Sequence, residues 1–157
     1  MNQINDGRRA AIKTGGSFAV IAAAVSAGVL PMSAFAQYNK GAFDAKSLND
    51  VIKALGGAGV EKSSDIAITA PDIAENGAVV PIAVASKIAN TQSIAILVEK
   101  NPSALTAQFD ILPGTEPSVG TRVKMGQSSN VHAVVKAGGK FYVTTKEVKV
   151  TLGGCGG

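Results

Sequence analysis

Residues 129–143 have the sequence SNVHAVVKAGGKFYV, and they carry the clearest structural signal in the chain. Apolar and more polar residues alternate from Ser129 to Ala137, as in a strand with one buried face. The pair Gly138-Gly139 follows, and glycines accept the positive φ angles that a two-residue hairpin turn requires. The stretch therefore predicts two antiparallel strands, over Ser129–Ala137 and Lys140–Leu152.

Shorter strand-like segments precede this hairpin, and Gly, Pro, Asn and Ser separate them. These segments are Asp65–Ala70, Gly77–Ser86, Ser93–Lys100, Leu105–Ile111 and Val119–Met125. About seven strands at a spacing of roughly 8–12 residues are typical of an immunoglobulin-like β-sandwich, and strands do not alternate with helices as in a parallel sheet. We therefore predict an all-β, immunoglobulin-like sandwich.

The last predicted strand changes the parity of its apolar residues. Phe141 and Val143 have odd numbers, whereas Val148 and Val150 have even numbers. An extra residue in one strand of a pair would reconcile the two halves. The pattern thus predicts a bulge or break near Lys146-Glu147.

One short helix is expected before the strands. Its apolar residues are Phe43, Leu48, Val51, Ile52 and Leu55. This spacing indicates an amphipathic helix with one apolar face, over residues 44–55. Asp44 is a suitable N-cap, and Gly56-Gly57 is a stop signal.

Residues 1–36 are typical of an export signal rather than of a folded domain. A basic start is followed by the charge-free run Gly15–Leu30 and by Ala34-Phe35-Ala36, a cleavage pattern carried by Ala34 and Ala36. The run has 16 residues, whereas a membrane span needs about 20. An uncleaved membrane anchor is the alternative interpretation. We predict cleavage, a periplasmic protein and no membrane anchor afterwards.

The export route is indicated by a pair of arginines. Arg8-Arg9 resembles the core of a twin-arginine signal, which exports proteins that have already folded. The sequence departs from the usual pattern at Gly7, where Ser or Thr is common, and at Ala11, where Phe is common. We therefore predict twin-arginine export, with the general secretory route as the alternative.

The charge balance argues against a nucleic-acid partner. The chain has 15 Lys+Arg and 11 Asp+Glu, a net charge of +4, and removal of 1–36 lowers this to +2. The remaining lysines are scattered singly, whereas a nucleic-acid surface clusters its basic residues. We expect no nucleic-acid binding.

The predicted body, residues 37–152, offers no catalytic site. One Cys and one His exclude an internal disulfide and an ordinary zinc site. The single His, His132, is expected on the exposed face of its strand. Asp72 and Glu75 are expected to be solvated acids in a turn. We predict no metal and no bound cofactor.

The last five residues carry the chemistry. Gly153, Gly154, Gly156 and Gly157 flank Cys155, the only Cys. Because Gly lacks Cβ, such a segment is predicted to be a flexible arm with little steric bulk. From residue 152 the thiol can extend about 10 Å at the rise of an extended chain. A thiolate on such an arm can carry a covalent adduct into the buried sites of other enzymes.

The stretch GGCGG at 153–157 is preceded by VKVT at 148–151. The body contains AENGAVVP at 74–81, VEKNP at 98–102 and TRVKM at 121–125. These stretches, and GGCGG most specifically, resemble the SoxY family of sulfur carriers from the Sox thiosulfate-oxidising system. The resemblance covers essentially the whole chain after residue 36.

This resemblance implies a carrier that is not itself an enzyme and that pairs with a SoxZ-like β-sandwich subunit. A SoxAX-like c-type cytochrome would couple thiosulfate to Cys155 as an S-thiosulfonate. A SoxB-like di-manganese hydrolase would release sulfate and leave a persulfide. A SoxCD-like molybdenum–haem dehydrogenase, where the organism has one, would oxidise the remaining sulfur.

A different class of function stays open at this point. The chain could be a periplasmic immunoglobulin-like adaptor that uses its exposed Cys155 to form a disulfide with a partner.

Overall fold

The structure is a computed structural model that describes residues 39–151. The predicted export signal, 1–36, and the predicted arm, 153–157, lie outside the described residues. Neither described helix is long and apolar enough to span a membrane.

The described residues form two helices and nine strands. The helices are α1 (Lys40–Asp44) and α2 (Leu48–Ala54). The strands are β1 (Glu61–Lys62), β2 (Ile66–Thr69), β3 (Ile73–Ala74), β4 (Val80–Ser86), β5 (Thr91–Val98), β6 (Leu105–Asp110), β7 (Ser118–Val123), β8 (Ser129–Ala137) and β9 (Lys140–Val150). The seven predicted strands correspond to the seven longer ones. Strands β1 and β3 were not predicted because two residues are too few to show an alternating pattern.

The strands form two sheets, which confirms the predicted β-sandwich. The larger sheet has the order β1-β9-β8-β5-β6, with β3 also paired to β9, and the smaller sheet has the order β2-β4-β7. Strands β1 and β3 run parallel to β9. Strands β4, β5 and β8 form antiparallel pairs with their neighbours.

The β8–β9 hairpin is formed as predicted. Gly138 and Gly139 have φ angles of 55° and 78°, the positive values that a tight hairpin turn needs. The pairing runs in one unbroken register from Ala137 and Lys140 to Ser129 and Val148.

The predicted bulge near Lys146-Glu147 was therefore wrong. Phe141 and Val143 face the helices, whereas Val148 belongs to the core between the sheets. The helix-side face of β9 is buried near the hairpin, while the face toward the other sheet is buried at Val148 and partly buried at Tyr142 and Val150. The change in parity of the apolar residues along β9 thus marks a change in which neighbouring layer buries them. It does not mark an inserted residue.

Two cores hold the layers together. The core between the sheets includes Ile82, Ile94, Ile96, Val98, Val131, Val135 and Val148. The core between the larger sheet and the helices includes Val51, Ile52, Leu97, Leu105, Val134, Phe141 and Val143. Burying a branched apolar side chain contributes about 1.5–3 kcal/mol, so the larger sheet is stabilised from both faces.

The single helix predicted over 44–55 is two helices. Asp44, the predicted N-cap, is the last residue of α1. The next residue, Ala45, is extended, and its carbonyl accepts a hydrogen bond from the Ala104 amide (3.1 Å). The Ser47 Oγ then accepts from the Asp50 amide (3.2 Å) and caps α2. The helix is interrupted because the Ala45 carbonyl bonds to Ala104, the residue before β6, instead of continuing the helix. The periodicity of apolar residues does not reveal such a long-range contact.

The stop signal at Gly56-Gly57 is confirmed. Gly56 has a φ of 86°, and its amide donates to the Lys53 carbonyl (2.9 Å). The Gly57 amide donates to the Ile52 carbonyl (2.8 Å). These two bonds form a Schellman motif, which satisfies carbonyls at the end of α2.

His132 is buried, which corrects the prediction of an exposed face. Its exposed fraction is 9%, and it lies on the same side of β8 as Val134, which packs in the helix-side core. The His132 Nδ1 lies 2.8 Å from the Thr145 Oγ1. Its Nε2 is buried without a hydrogen bond and lies 3.7 Å from the Glu99 carboxylate. Burial lowers the pKa of His132 below 6.5, and the nearby Glu99 opposes this shift.

We expect Gly57→Ala to destabilise the fold by about 1–3 kcal/mol, the usual effect of an overpacked core. A Cβ at Gly57 would lie 2.6 Å from the Ile52 side chain and 2.7 Å from the Phe141 ring, and both side chains are buried. Gly59→Ala is the control, since a Cβ there meets nothing within 4 Å. Urea unfolding measures both variants. Equal midpoints would contradict the packing described here.

We expect the unfolding free energy to fall as the pH drops below 6.5. In that range the unfolded chain protonates its His, while the folded chain keeps His132 neutral because its pKa is lowered. Above pH 6.5 this contribution is fully present. His132→Gln should flatten the profile just below pH 6.5, since the pKa of His132 is lowered from this value and the chain has no other His. Equal slopes for both proteins in urea titrations would refute the expectation.

Candidate functional site

The residues predicted to carry function lie outside the described residues. They are Arg8, Arg9, Ala34, Ala36, Gly153, Gly154, Cys155, Gly156 and Gly157. The structure does describe the point from which the Cys155 segment departs, because β9 ends at Val150 and Thr151 is the last described residue. We call the surroundings of Val150 and Thr151 the arm junction.

On one side, the arm junction is held by the segment that contains β3. Ala74 is the parallel partner of Val150. The Lys149 amide donates to the Asp72 carbonyl (3.0 Å), and the Thr151 amide donates to the Ala74 carbonyl (3.1 Å). The backbone is thus bonded up to the last described residue.

On the other side, a serine side chain continues the ladder. The β8–β9 pairing ends at Ser129 and Val148. The Ser128 Oγ accepts a hydrogen bond from the Val150 amide (2.9 Å). Val150 is therefore held from both sides, although it lies beyond the last β8–β9 pair, Ser129 and Val148.

A loop that contains Gly77 also packs against the arm junction. The Gly77 carbonyl accepts from the Met125 amide (2.7 Å). A Cβ at Gly77 would lie 2.5 Å from the Met125 carbonyl oxygen and 2.8 Å from the Val150 Cγ1. Only Gly fits this position without displacement of the backbone, so the loop is closely fitted to β9.

The three body stretches singled out from the sequence meet at this end of the sandwich. The Asn101 side-chain amide, in 98–102, donates to the Lys124 carbonyl (2.8 Å), in 121–125. Met125 binds Gly77, in 74–81, as described above. In the sequence these were three separate stretches that resemble one family. In the structure they are hydrogen-bonded to one another and together support the arm junction.

Sequence reasoning missed two of these supporting residues. Gly77 entered only as the first residue of a predicted strand and as part of the stretch 74–81, and Ser128 was not singled out. The Asn-Gly dipeptide was the available sequence signal at Gly77. This dipeptide is expected both in a turn and where the backbone packs closely against another segment, so it does not distinguish the two. Ser128 has no local signal, since its role depends on the distant Val150.

Covalent geometry limits how far the thiol lies from this support. Cys155 is the fourth residue after Thr151. An extended chain spans at most about 3.6 Å per residue, so the two Cα atoms are within about 14 Å of each other.

The body shows no arrangement for metal binding. Within residues 39–151, no group of three or more His, Cys, Asp or Glu side chains could hold a metal ion. Asp72 is highly exposed and forms an ion pair with Lys146 (3.0 Å). The Lys146 Nζ also donates to the Ala70 carbonyl (2.6 Å), so Asp72 belongs to a surface ion pair that helps to hold the segment before β3.

Comparison with solved structures shows similarity to a sulfur carrier protein. The sulfur carrier protein SoxY from Chlorobium limicola f thiosulfatophilum is 41% identical, with a TM-score of 0.61, and the match covers 66% of this chain and 94% of that chain. A structure concerned with T cell specificity and activation by toxic shock syndrome toxin-1 is 15% identical, with a TM-score of 0.37, and covers 55% of this chain and 99% of that chain. The second likeness is too weak to carry an argument. Comparison with curated proteins gave no match.

Comparison with family models matches residues 52–155 to sulfur oxidation protein SoxY. This stretch includes the arm junction and ends at Cys155. Together with the 41% identity to the Chlorobium carrier, this match shows that the chain belongs to the SoxY family of sulfur oxidation proteins.

Proposed function

We propose that the chain carries thiosulfate-derived sulfur as a covalent adduct on Cys155. The observation that carries this proposal is that the family match extends to residue 155, the position of the only Cys. The described structure is consistent with such a role, since a hydrogen-bonded junction at Thr151 precedes the Cys by only four residues.

The adduct is formed by oxidation. The Cys155 thiolate and the outer sulfur of thiosulfate form an S–S bond, and two electrons pass to an oxidising partner of the c-type cytochrome class (SoxAX-like). The product is a cysteine S-thiosulfonate. A thiolate is the reactive form of the group, and the four neighbouring glycines leave it sterically accessible.

Release of the cargo is hydrolytic. Water cleaves the bond between the outer sulfur and the sulfonate, which yields sulfate, two protons and a cysteine persulfide. A di-manganese hydrolase (SoxB-like) performs this step on the carrier. Where the organism has a molybdenum–haem dehydrogenase (SoxCD-like), this enzyme would oxidise the outer persulfide sulfur to an S-sulfonate with oxygen from water, and the electrons would pass to its haem. Hydrolysis then releases a second sulfate and frees Cys155. The carrier is then a covalent substrate of other enzymes and not itself a catalyst.

The proposal also includes a periplasmic location and a stable partner subunit. The order of basic start, apolar run and Ala34-Phe35-Ala36 supports export to the periplasm, and Arg8-Arg9 supports the twin-arginine route. A SoxZ-like β-sandwich subunit pairs with the folded body.

We expect Cys155→Ser to abolish sulfate release from thiosulfate in a system reconstituted with the partner enzymes, because Ser cannot form the S–S bond. The urea unfolding midpoint should be unchanged, since β9 ends before this position. The assay is sulfate release by ion chromatography. Sulfate release by the Ser variant at the wild-type rate would refute the proposal.

We expect Gly154→Val to slow the reactions with partner enzymes by roughly tenfold or more, since small displacements of a reacting group are costly. The added side chain would obstruct entry into a narrow channel. Gly59→Val is the matched control, because Gly59 is on the body and a Cβ there meets nothing within 4 Å. Both variants should react normally with a small aromatic disulfide. Wild-type partner rates for Gly154→Val would contradict the narrow-channel interpretation.

A further inference from the structure

The loop between β3 and β4 contains an Asn-Gly pair that occurs nowhere else in the chain. Asn76 is the only Asn that is followed by Gly. The backbone nitrogen of a following residue can attack the side-chain amide carbon of Asn and close a succinimide ring. Gly hinders this attack least because it lacks Cβ, whereas Asn90 precedes Thr91, which is β-branched and stiff. Asn76 is therefore the Asn that is most open to attack by its own backbone.

The surroundings of Asn76 leave the attacking nitrogen free. Asn76 is exposed and lies in the loop before β4. Within residues 39–151, the Gly77 amide donates to no acceptor. Attack by this nitrogen therefore breaks no backbone hydrogen bond, and water reaches the reacting side chain from the solvent.

The turn also holds the side-chain carbonyl that is attacked. The Asn76 Oδ1 accepts a hydrogen bond from the Ala78 amide (2.9 Å), which forms an Asx-turn. This bond closes a ring of atoms that contains both the Asn76 Cγ and the Gly77 nitrogen, so the two reacting atoms are held in one compact turn. The oxygen becomes negatively charged during the attack, and a donor that is already in place stabilises such charge. The loop thus both positions and polarises the carbonyl.

The reaction needs no reactant other than water. The Gly77 nitrogen bonds to the Asn76 Cγ and loses its proton, the bond from Cγ to Nδ2 breaks, and the side-chain nitrogen leaves as ammonia. Water then opens the succinimide at either carbonyl and yields aspartate or isoaspartate. In isoaspartate the main chain passes through Cβ and Cγ, so the backbone contains one additional carbon.

An additional carbon at Asn76 would fall between two anchors of the arm junction. The Ala74 carbonyl accepts from the Thr151 amide (3.1 Å), and the Gly77 carbonyl accepts from the Met125 amide (2.7 Å). One carbon adds about 1.5 Å, the length of a C–C bond. Gly77 has no space for such a shift, because even a Cβ there would lie 2.5 Å from the Met125 carbonyl oxygen. Both anchors cannot keep their present positions.

We propose that Asn76 is a site of spontaneous deamidation in the folded protein, and that isoaspartate at this position loosens the arm junction. The inference does not depend on the proposed carrier function, because it involves neither Cys155 nor a partner enzyme.

The first test measures the reaction itself. The purified protein is kept folded in a mildly alkaline buffer and then digested with trypsin. Peptide 63–87 contains Asn76 as its only Asn and has no Gln, so deamidation of this peptide reports on Asn76 alone. We expect a rate within about tenfold of that in the free synthetic peptide, far above the roughly thousandfold reduction of a reaction restricted to the unfolded fraction. An isoaspartyl methyltransferase should methylate the product.

Two variants serve as controls. Asn76→Ser cannot deamidate, and its hydroxyl can still accept from the Ala78 amide, so peptide 63–87 should keep its mass. Asn76→Asp introduces the charge of the product without the additional backbone carbon. We expect the Met125 and Thr151 amides to exchange hydrogen roughly tenfold faster in the isoaspartate form, as in a locally weakened structure. In Asn76→Asp they should exchange as in the unmodified protein, as measured by NMR.

Three results would overturn the inference. A rate about a thousandfold below that of the free peptide, or no faster than the rate at Asn90, would show that the folded loop does not react. Exchange rates of Met125 and Thr151 that are the same in the isoaspartate form and in Asn76→Asp would show that the arm junction is not loosened.

Discussion

Strand β9 keeps one register with β8 from the hairpin to Val148, and the rest of the structure depends on this pairing. The strand contributes Phe141 and Val143 to the helix-side core and Val148 to the core between the sheets. It therefore ties all three layers together. Because a slip of one residue would exchange its two faces, the register is strongly specified. The register of β9 therefore also fixes the position of Thr151, after which the chain leaves the body.

The body and the segment that follows have different physical requirements. The backbone is held where β9 ends, because the Val150 amide donates to the Ser128 side chain and the Thr151 amide donates to the Ala74 carbonyl. In the proposed function, the segment after Thr151 presents a thiol to other enzymes, and its glycines add the least steric bulk. The body then acts as a support, and the chemistry takes place on Cys155 inside the partner enzymes.

Sequence patterns predicted the features that depend on local chemistry. The Gly138-Gly139 turn and the Gly56-Gly57 stop follow from backbone freedom at single positions, and the alternating strands follow from one buried face. The errors arose where a distant segment decides the outcome. His132 is buried between Thr145 and Glu99 of neighbouring segments, Ala45 bonds to Ala104 instead of continuing a helix, and β3 pairs with β9 although it has only two residues. For the candidate site, the sequence singled out Cys155 but could not show that the stretches around Asn76, Asn101 and Met125 support one junction.

The most direct test of the account is the intact mass of the protein isolated from cells grown on thiosulfate. We predict masses that correspond to one added thiosulfate or one added sulfur, located by fragmentation on Cys155 and absent from the Cys155→Ser variant. Detection of unmodified and disulfide-linked protein alone would contradict the carrier function and favour an adaptor that is cross-linked through its cysteine.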